Sequence, residues 1–93
     1  MKRKLFRSTA FLRAARRAVR KYAAVAEGIE AALHLLEEDA FDPRLRTHKL
    51  KGKLASSWAC SAGFDLRLVF RFVEFEEAEA ILLQTVGTHE EVY

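Results

Sequence analysis

Two histidines, an aspartate, two arginines and a terminal tyrosine carry most of the chemistry open to this sequence. His48 stands in a basic stretch, RLRTHKLKGKL. Asp65, Arg67 and Arg71 follow in GFDLRLVFRF. His89 and Tyr93 come last, in VGTHEEVY. A histidine can take or give a proton near neutral pH, its reference value being ~6.5. Asp65 can orient an imidazole or accept a proton. Arg67 or Arg71 can stabilise developing negative charge. Tyr93 can stack on a base or bond a phosphate. Such a set suits metal-free RNA cleavage, in which the 2′-OH attacks its own 3′ phosphate. That reaction needs a base for the 2′-OH, an acid for the leaving 5′-oxygen and cations for the phosphorane.

Each residue also has a plainer reading. A lone His in a loop is more often a surface or turn residue than a catalyst. Asp65 suits the turn after Gly63-Phe64. Arg67 can brace the sheet by pairing with a carboxylate, and Tyr93 can close the core. His34, beside an apolar helical stripe, reads as a partly buried structural residue. Trp58 reads as core. Cys60, with no adjacent His and no second Cys, reads as an inert sheet residue.

The charge is segregated although the net value is only +3. Nine Lys or Arg and no acid lie between Met1 and Tyr22, and five more bases without an acid lie between Arg44 and Lys53. Acids gather at Glu27–Asp42 and Glu74–Glu79. Basic faces of this kind suit a polyanion, most often nucleic acid. The candidate RNA-binding cations are Arg46, Lys49, Lys51 and Lys53 of the connector, with Arg67 and Arg71. Solvated helix faces, or docking of an acidic protein segment, are the competing readings. One Cys excludes an internal disulfide and a multi-Cys zinc site, so neither metal nor cofactor is expected. No apolar run approaches the ~18–20 residues of a membrane span. The basic N-terminus lacks the apolar core of a signal peptide. One cytoplasmic domain over residues 1–93 is expected.

The elements that must position these residues follow from the spacing. Lys2–Arg7 fits an edge strand rich in bases. Ser8 or Thr9 can cap a helix with Phe11, Ala15, Val19 and Tyr22 on one face. A second helix from about Val25 to Glu38 carries Ile29, Leu33 and Leu36 as its stripe, with Ala32 beside them. Gly28 blurs its start. Asp42-Pro43 breaks the chain, and Gly52 turns the connector. The period then changes to two. Phe64, Leu66, Leu68, Phe70 and Phe72 alternate with Asp65, Arg67, Val69 and Arg71. Glu74–Glu79 reads as a polar turn, Ala80–Val86 as a central strand, and Gly87 as a sharp turn after it. The order β-αα-βββ is an α+β fold: a small, mainly antiparallel sheet with a two-helix hairpin on one face. In a meander, the end of the last strand lies near Asp65.

The combined pattern THKLKGKL…W.CS.GFDLRLVF…ILLQTVGTHEEVY resembles the RelE/ParE toxin superfamily of bacterial type II toxin–antitoxin systems, and within it the YafQ-like mRNA interferases. The resemblance covers the whole chain. It implies a toxin with a microbial-RNase-like fold that cleaves mRNA, commonly on the ribosome, without a metal. It also implies a cognate antitoxin, and operator DNA bound through that antitoxin. By position, His48 matches the family's connector His, Asp65 its strand Asp, His89 the His of its G-T-H motif, and Tyr93 its terminal aromatic. Ser61 stands where YafQ-like members carry a further His, and a hydroxyl cannot replace imidazole as a base near pH 7. ParE-like relatives keep the fold but poison gyrase, so a gyrase-binding toxin without nuclease activity is the alternative, beside a non-catalytic partner or nucleic-acid-binding module.

Overall fold

The computed structural model describes residues 2–52, 55–63 and 65–93. Leu54, Phe64 and the proposed RNA-binding cation Lys53 lie outside the described residues. β1 (Leu5–Arg7) ends where the Ser8 hydroxyl accepts the Phe11 N–H at 3.0 Å and so caps α1 (Thr9–Lys21). A cap of this kind satisfies one of the helix's orphan donors. Phe11 is buried and Ala15 and Val19 are half-buried against the core. Tyr22, expected on the same face, is instead 68% exposed. It is the C-cap, and its extended backbone (φ −154°) carries it off the helical face.

α2 (Val25–Glu38) buries Ile29, Ala32, Leu33 and Leu36. His34 is exposed rather than partly buried, being rotated away from Leu33 and Leu36 on the helical wheel. The break at Asp42 is a 3-10 turn, Pro43–Leu45. Its carboxylate accepts the Arg44 backbone N–H at 2.9 Å, and the Arg44 side chain, chiefly, holds that carboxyl down to about 2.

The sheet has five strands in the order β1-β5-β4-β3-β2. β2 (His48–Lys49), β3 (Trp58–Ser61), β4 (Leu66–Phe75) and β5 (Ala78–Thr88) are antiparallel neighbours, and β1 runs parallel to β5. β2 falls inside the supposed connector. The expected Glu74–Glu79 turn shrinks to Glu76 and Glu77, which adopt positive φ of 51° and 64°. That backbone matches the twist of a tight hairpin, so β4 and β5 run on into the acidic cluster. A final short helix, α3 (His89–Val92), follows β5, where the sequence predicts only a turn at Gly87.

α1 and α2 cover one face of the sheet, where Phe11, Ile29 and Leu36 join Cys60, Leu68, Phe70, Ile81 and Leu83 in the main core. The opposite face carries a smaller apolar group, Leu50, Ala59, Val69 and Val92. Paired residues share a face, so the register sets one row, His48–Ala59–Val69–Thr85, and a second, Ser61–Arg67–Gly87, on this open side. Val69 pairs with Thr85 but Phe70 with Leu83, leaving Gln84 as the extra residue of a bulge. Gln84 accepts the hydroxyl of buried Ser57 at 2.7 Å. Among the described residues, no helix is long and apolar enough to cross a membrane.

Candidate active site

The open face of the sheet gathers residues from opposite ends of the second half of the chain. His48 stands on β2 opposite Ala59. Just before it, Arg46 adopts a left-handed backbone (φ 53°), and its carbonyl lies 3.1 Å from His48 Nδ1. A carbonyl can only accept, so Nδ1 carries the hydrogen, and in the neutral ring Nε2 is left with its lone pair. Tyr93 Oη lies 3.0 Å from that Nε2. Burial raises the Tyr93 phenol above its usual value, while the Arg67 guanidinium pulls the other way. The phenol therefore keeps its proton at neutral pH and donates to His48. His89 meets the same tyrosine edge-on, with ring centroids 4.3 Å apart; the His48 ring centroid is 6.0 Å from it.

α3 places His89 and Tyr93 together because residues four apart share a helical face. The Thr88 side chain accepts the Glu91 N–H at 3.3 Å, and Glu91 accepts the Thr88 N–H at 2.8 Å, a reciprocal capping box. Hydrogen bonding to the Thr88 backbone lowers the Glu91 carboxyl, helped by Lys21 and Arg17. Gly87 is not the sharp turn the sequence suggested. It lies within β5, paired with Arg67. What it supplies is room: a Cβ there would sit 3.0 Å from Glu91 Oε1 and 3.1 Å from Val92 Cγ1. Val92 drops into the small apolar group under the site.

The other candidates divide. Arg67 is half-buried on the same face; its guanidinium donates to the Leu66 carbonyl at 3.0 Å and lies near enough to act on the Tyr93 phenol. Among the described residues it has no ion pair to a carboxylate of the kind the sheet-bracing reading requires. Asp65 is exposed and precedes β4 rather than lying in it; Leu66 pairs with Thr88, so Asp65 lies at the His89 end of the hairpin. Arg71 shares the Arg67 face but lies four residues along, ~13 Å at strand rise, too far to attend the same phosphate. Arg46, Lys49 and Lys51 are exposed around His48. Ser61 pairs with Arg67 at the edge of the site. Cys60 faces the other way, into the core, where burial pushes its thiol up to about 12. Trp58 packs edge-on against Phe41 and Phe72.

Two features escaped the sequence reading. The Tyr93–His48 bond spans 45 residues, and no local signal announces it. The capping box had one: Thr88-His89-Glu90-Glu91 fits the T-x-x-E start of a helix. Among the described residues, no three His, Cys, Asp or Glu side chains cluster as metal ligands would.

Residues 3–93 match the family described as "Bacterial toxin of type II toxin-antitoxin system, YafQ". Among solved structures, YafQ in the Escherichia coli DinJ–YafQ toxin–antitoxin complex superposes with a TM-score of 0.75 at 14% identity, covering 100% of this chain and 99% of that one. A YoeB/ParE toxin from Agrobacterium tumefaciens gives 0.74 at 19% identity, covering 92% and 98%. A conserved hypothetical protein from Helicobacter pylori gives 0.68 at 25% identity, with both chains covered completely. No curated protein matches the chain.

Proposed function

We propose that this chain, which belongs to the YafQ family of bacterial type II toxin–antitoxin toxins, is a metal-independent endoribonuclease that cuts mRNA on the ribosome and so stops translation. The observation that carries this reading is the 3.0 Å contact of Tyr93 Oη with His48 Nε2, with His89 against the same ring. It supports a site in which two imidazoles meet at one tyrosine, beside Arg67. The chain would act as one domain in the cytoplasm. Its partners would be mRNA, the ribosome and a cognate antitoxin, with operator DNA reached through the antitoxin. The E. coli YafQ structure in complex with DinJ is a precedent for the antitoxin.

In the proposed reaction the RNA 2′-OH takes the place of the Tyr93 hydroxyl at His48 Nε2. Tyr93 is 44% exposed, so its ring can swing aside without opening the core. His48 takes the 2′-OH proton as the oxygen attacks phosphorus. The P–O5′ bond breaks, and His89, as imidazolium, gives its proton to the departing 5′-oxygen. A 2′,3′-cyclic phosphate and a 5′-hydroxyl result. Arg67 balances the charge of the phosphorane. Asp65 orients an imidazole or acts as a further base. Arg46, Lys49, Lys51, Lys53 and Arg71 are the further cations for the RNA backbone.

The test is a reconstituted translation reaction in which mRNA ends are mapped, run beside a gyrase supercoiling assay. Cuts with 2′,3′-cyclic phosphate ends and unaffected gyrase are expected. Intact mRNA with blocked supercoiling would replace this reading with the gyrase one, and no effect in either assay would leave a binding module. Free RNA at high protein concentration should still be cut in chelator; cutting lost in chelator and restored by added metal would overturn the metal-free mechanism.

A further inference from the structure

α3 carries His89 and precedes Tyr93, yet it has only four residues. A helix that short has no stability of its own, because nucleation is costly and few bonds repay it. Something outside the helix must set how it lies. Three contacts are available. Val92 enters the apolar group with Leu50, Ala59 and Val69 and fixes the depth of the helix. Gly87 removes the Cβ that would hold it off the sheet. Neither fixes its rotation. Glu91 does: its carboxylate accepts the Thr88 N–H at 2.8 Å, while its own N–H reaches the Thr88 hydroxyl at 3.3 Å.

The geometry assigns Glu91 as a positioning residue that fixes the rotation of α3, so that His89 and Tyr93 face His48. At about 100° per residue, Glu91 points roughly opposite to His89 and Tyr93. It therefore holds the back of the helix while those two residues present the front. On that back side a cleft of about 290 Å³, lined by Arg17, Lys21, Glu91 and Val92 among others, separates α3 from α1. The capping box and the attraction of two cations, rather than tight packing, thus hold this side. The box acts at short range and with direction, so it dominates over the charges, which solvent screens. Among the described residues, the Glu91 hydrogen bonds go to Thr88 and not to His48 or Tyr93, so it acts through the helix.

The catalytic consequence rests on the ribonuclease reading, but the structural one does not. The experiment compares Glu91→Ala, Glu91→Gln and the parent by NMR, cleavage kinetics and thermal melting. Gln keeps an oxygen that can accept the Thr88 N–H but loses the charge. In Glu91→Ala the nuclear Overhauser contacts between the Tyr93 and His48 rings, whose centroids lie 6.0 Å apart, should vanish. The turnover rate should fall ~10–100-fold, as expected for misplacing reacting groups by ~1 Å, while KM stays within a few-fold. Melting should shift little, since Glu91 is exposed and its side chain joins only Thr88 in the capping box. Glu91→Gln should restore both the ring contacts and the rate to within a few-fold. Ring contacts that persist in Glu91→Ala would overturn the assignment. So would Gln behaving like Ala, which would give the role to charge. If the parent proves inactive, the ribonuclease reading fails, and the ring contacts alone still decide the role of Glu91.

Discussion

Gly28→Ala should destabilise this protein, although the same change in most helices does the opposite. Gly28 lies in the first turn of α2. By intrinsic propensity, alanine at an interior helical position gains about 1 kcal/mol over glycine. Here α2 crosses the end of β3 so closely that an added Cβ would lie 2.5 Å from the Ala62 carbonyl oxygen and 3.5 Å from its carbon. The obstacle is backbone, so no rotamer change relieves it. Either α2 or the Ala62–Leu66 turn must move by most of an ångström. Overpacking of this kind costs about 1–3 kcal/mol, and contact with fixed backbone belongs at the upper end. After subtracting the propensity gain, a net loss of ~1–2 kcal/mol remains. For a domain of this size that lowers Tm by ~4–16 °C. Calorimetric or circular-dichroism melts give the value. Ala31→Gly, at an exposed position in the same helix, supplies the control and should lose about 1 kcal/mol through propensity alone. The Ala62 N–H bonds the Leu66 carbonyl at 3.0 Å across the turn that carries Asp65, so Gly28→Ala should also reduce cleavage at temperatures where it remains folded. A rise in Tm for Gly28→Ala would refute the close approach of α2 to the sheet.

His89→Ala should lower mRNA cleavage by ~10²–10⁴ while the exposed position leaves melting within a few degrees and antitoxin binding intact; Tyr93→Phe, which keeps the ring against His89 but deletes the hydroxyl at His48, should cost far less. A few-fold effect of His89→Ala would reduce His89 to a helix-start residue. Replacing Arg16, Arg17 and Arg20, all exposed on α1, with Glu should weaken the antitoxin complex, most visibly at low salt. Equal affinity at every ionic strength would place the antitoxin elsewhere. Cys60, buried and pushed up to about 12, should resist alkylation of the native protein at pH 8 and react fully once unfolded. Because its folded value is raised, the neutral thiol favours the native state increasingly less as pH climbs above 9, so Cys60 contributes a loss of stability on the alkaline side only. Rapid native alkylation would show that the strand opens.

Much of the fold could be read from periodicity. The stripe Ile29–Leu33–Leu36 places α2 over Val25–Glu38, and the basic edge strand and long alternating strand are present as β1 and β4. What periodicity cannot see is short or non-local structure. β2 is two residues, His48–Lys49, inside a run of bases, and it exists because β3 offers Ala59 and Trp58 as partners. α3 is too short to show a repeat, and only its capping residues mark it. In the sequence Glu74 and Glu79 look like turn residues; in the structure they face each other as a cross-strand pair, relieved by the Arg3 guanidinium 2.8 Å from Glu79. For the site, residue type picked out His48, Asp65, His89 and Tyr93, and the hairpin register brings the Asp65 end to the His89 end. The meeting of Tyr93 with His48 depends on the order of strands across the sheet, which sequence spacing does not encode. Gly87 shows the same limit: a glycine after a strand predicts a turn, but here it serves a close approach by α3.

The proposed reaction begins with attack by the RNA's own 2′-hydroxyl, activated by His48 and completed by His89. The most direct measurement is the cleavage of two mRNAs in a reconstituted translation system. They are identical except that one carries a 2′-deoxynucleotide immediately 5′ to the mapped scissile phosphate. The predicted result is efficient cutting of the all-ribose message and none at that phosphate in the deoxy message. Equal cutting of the two at that phosphate, or an all-ribose message left whole, would contradict the account.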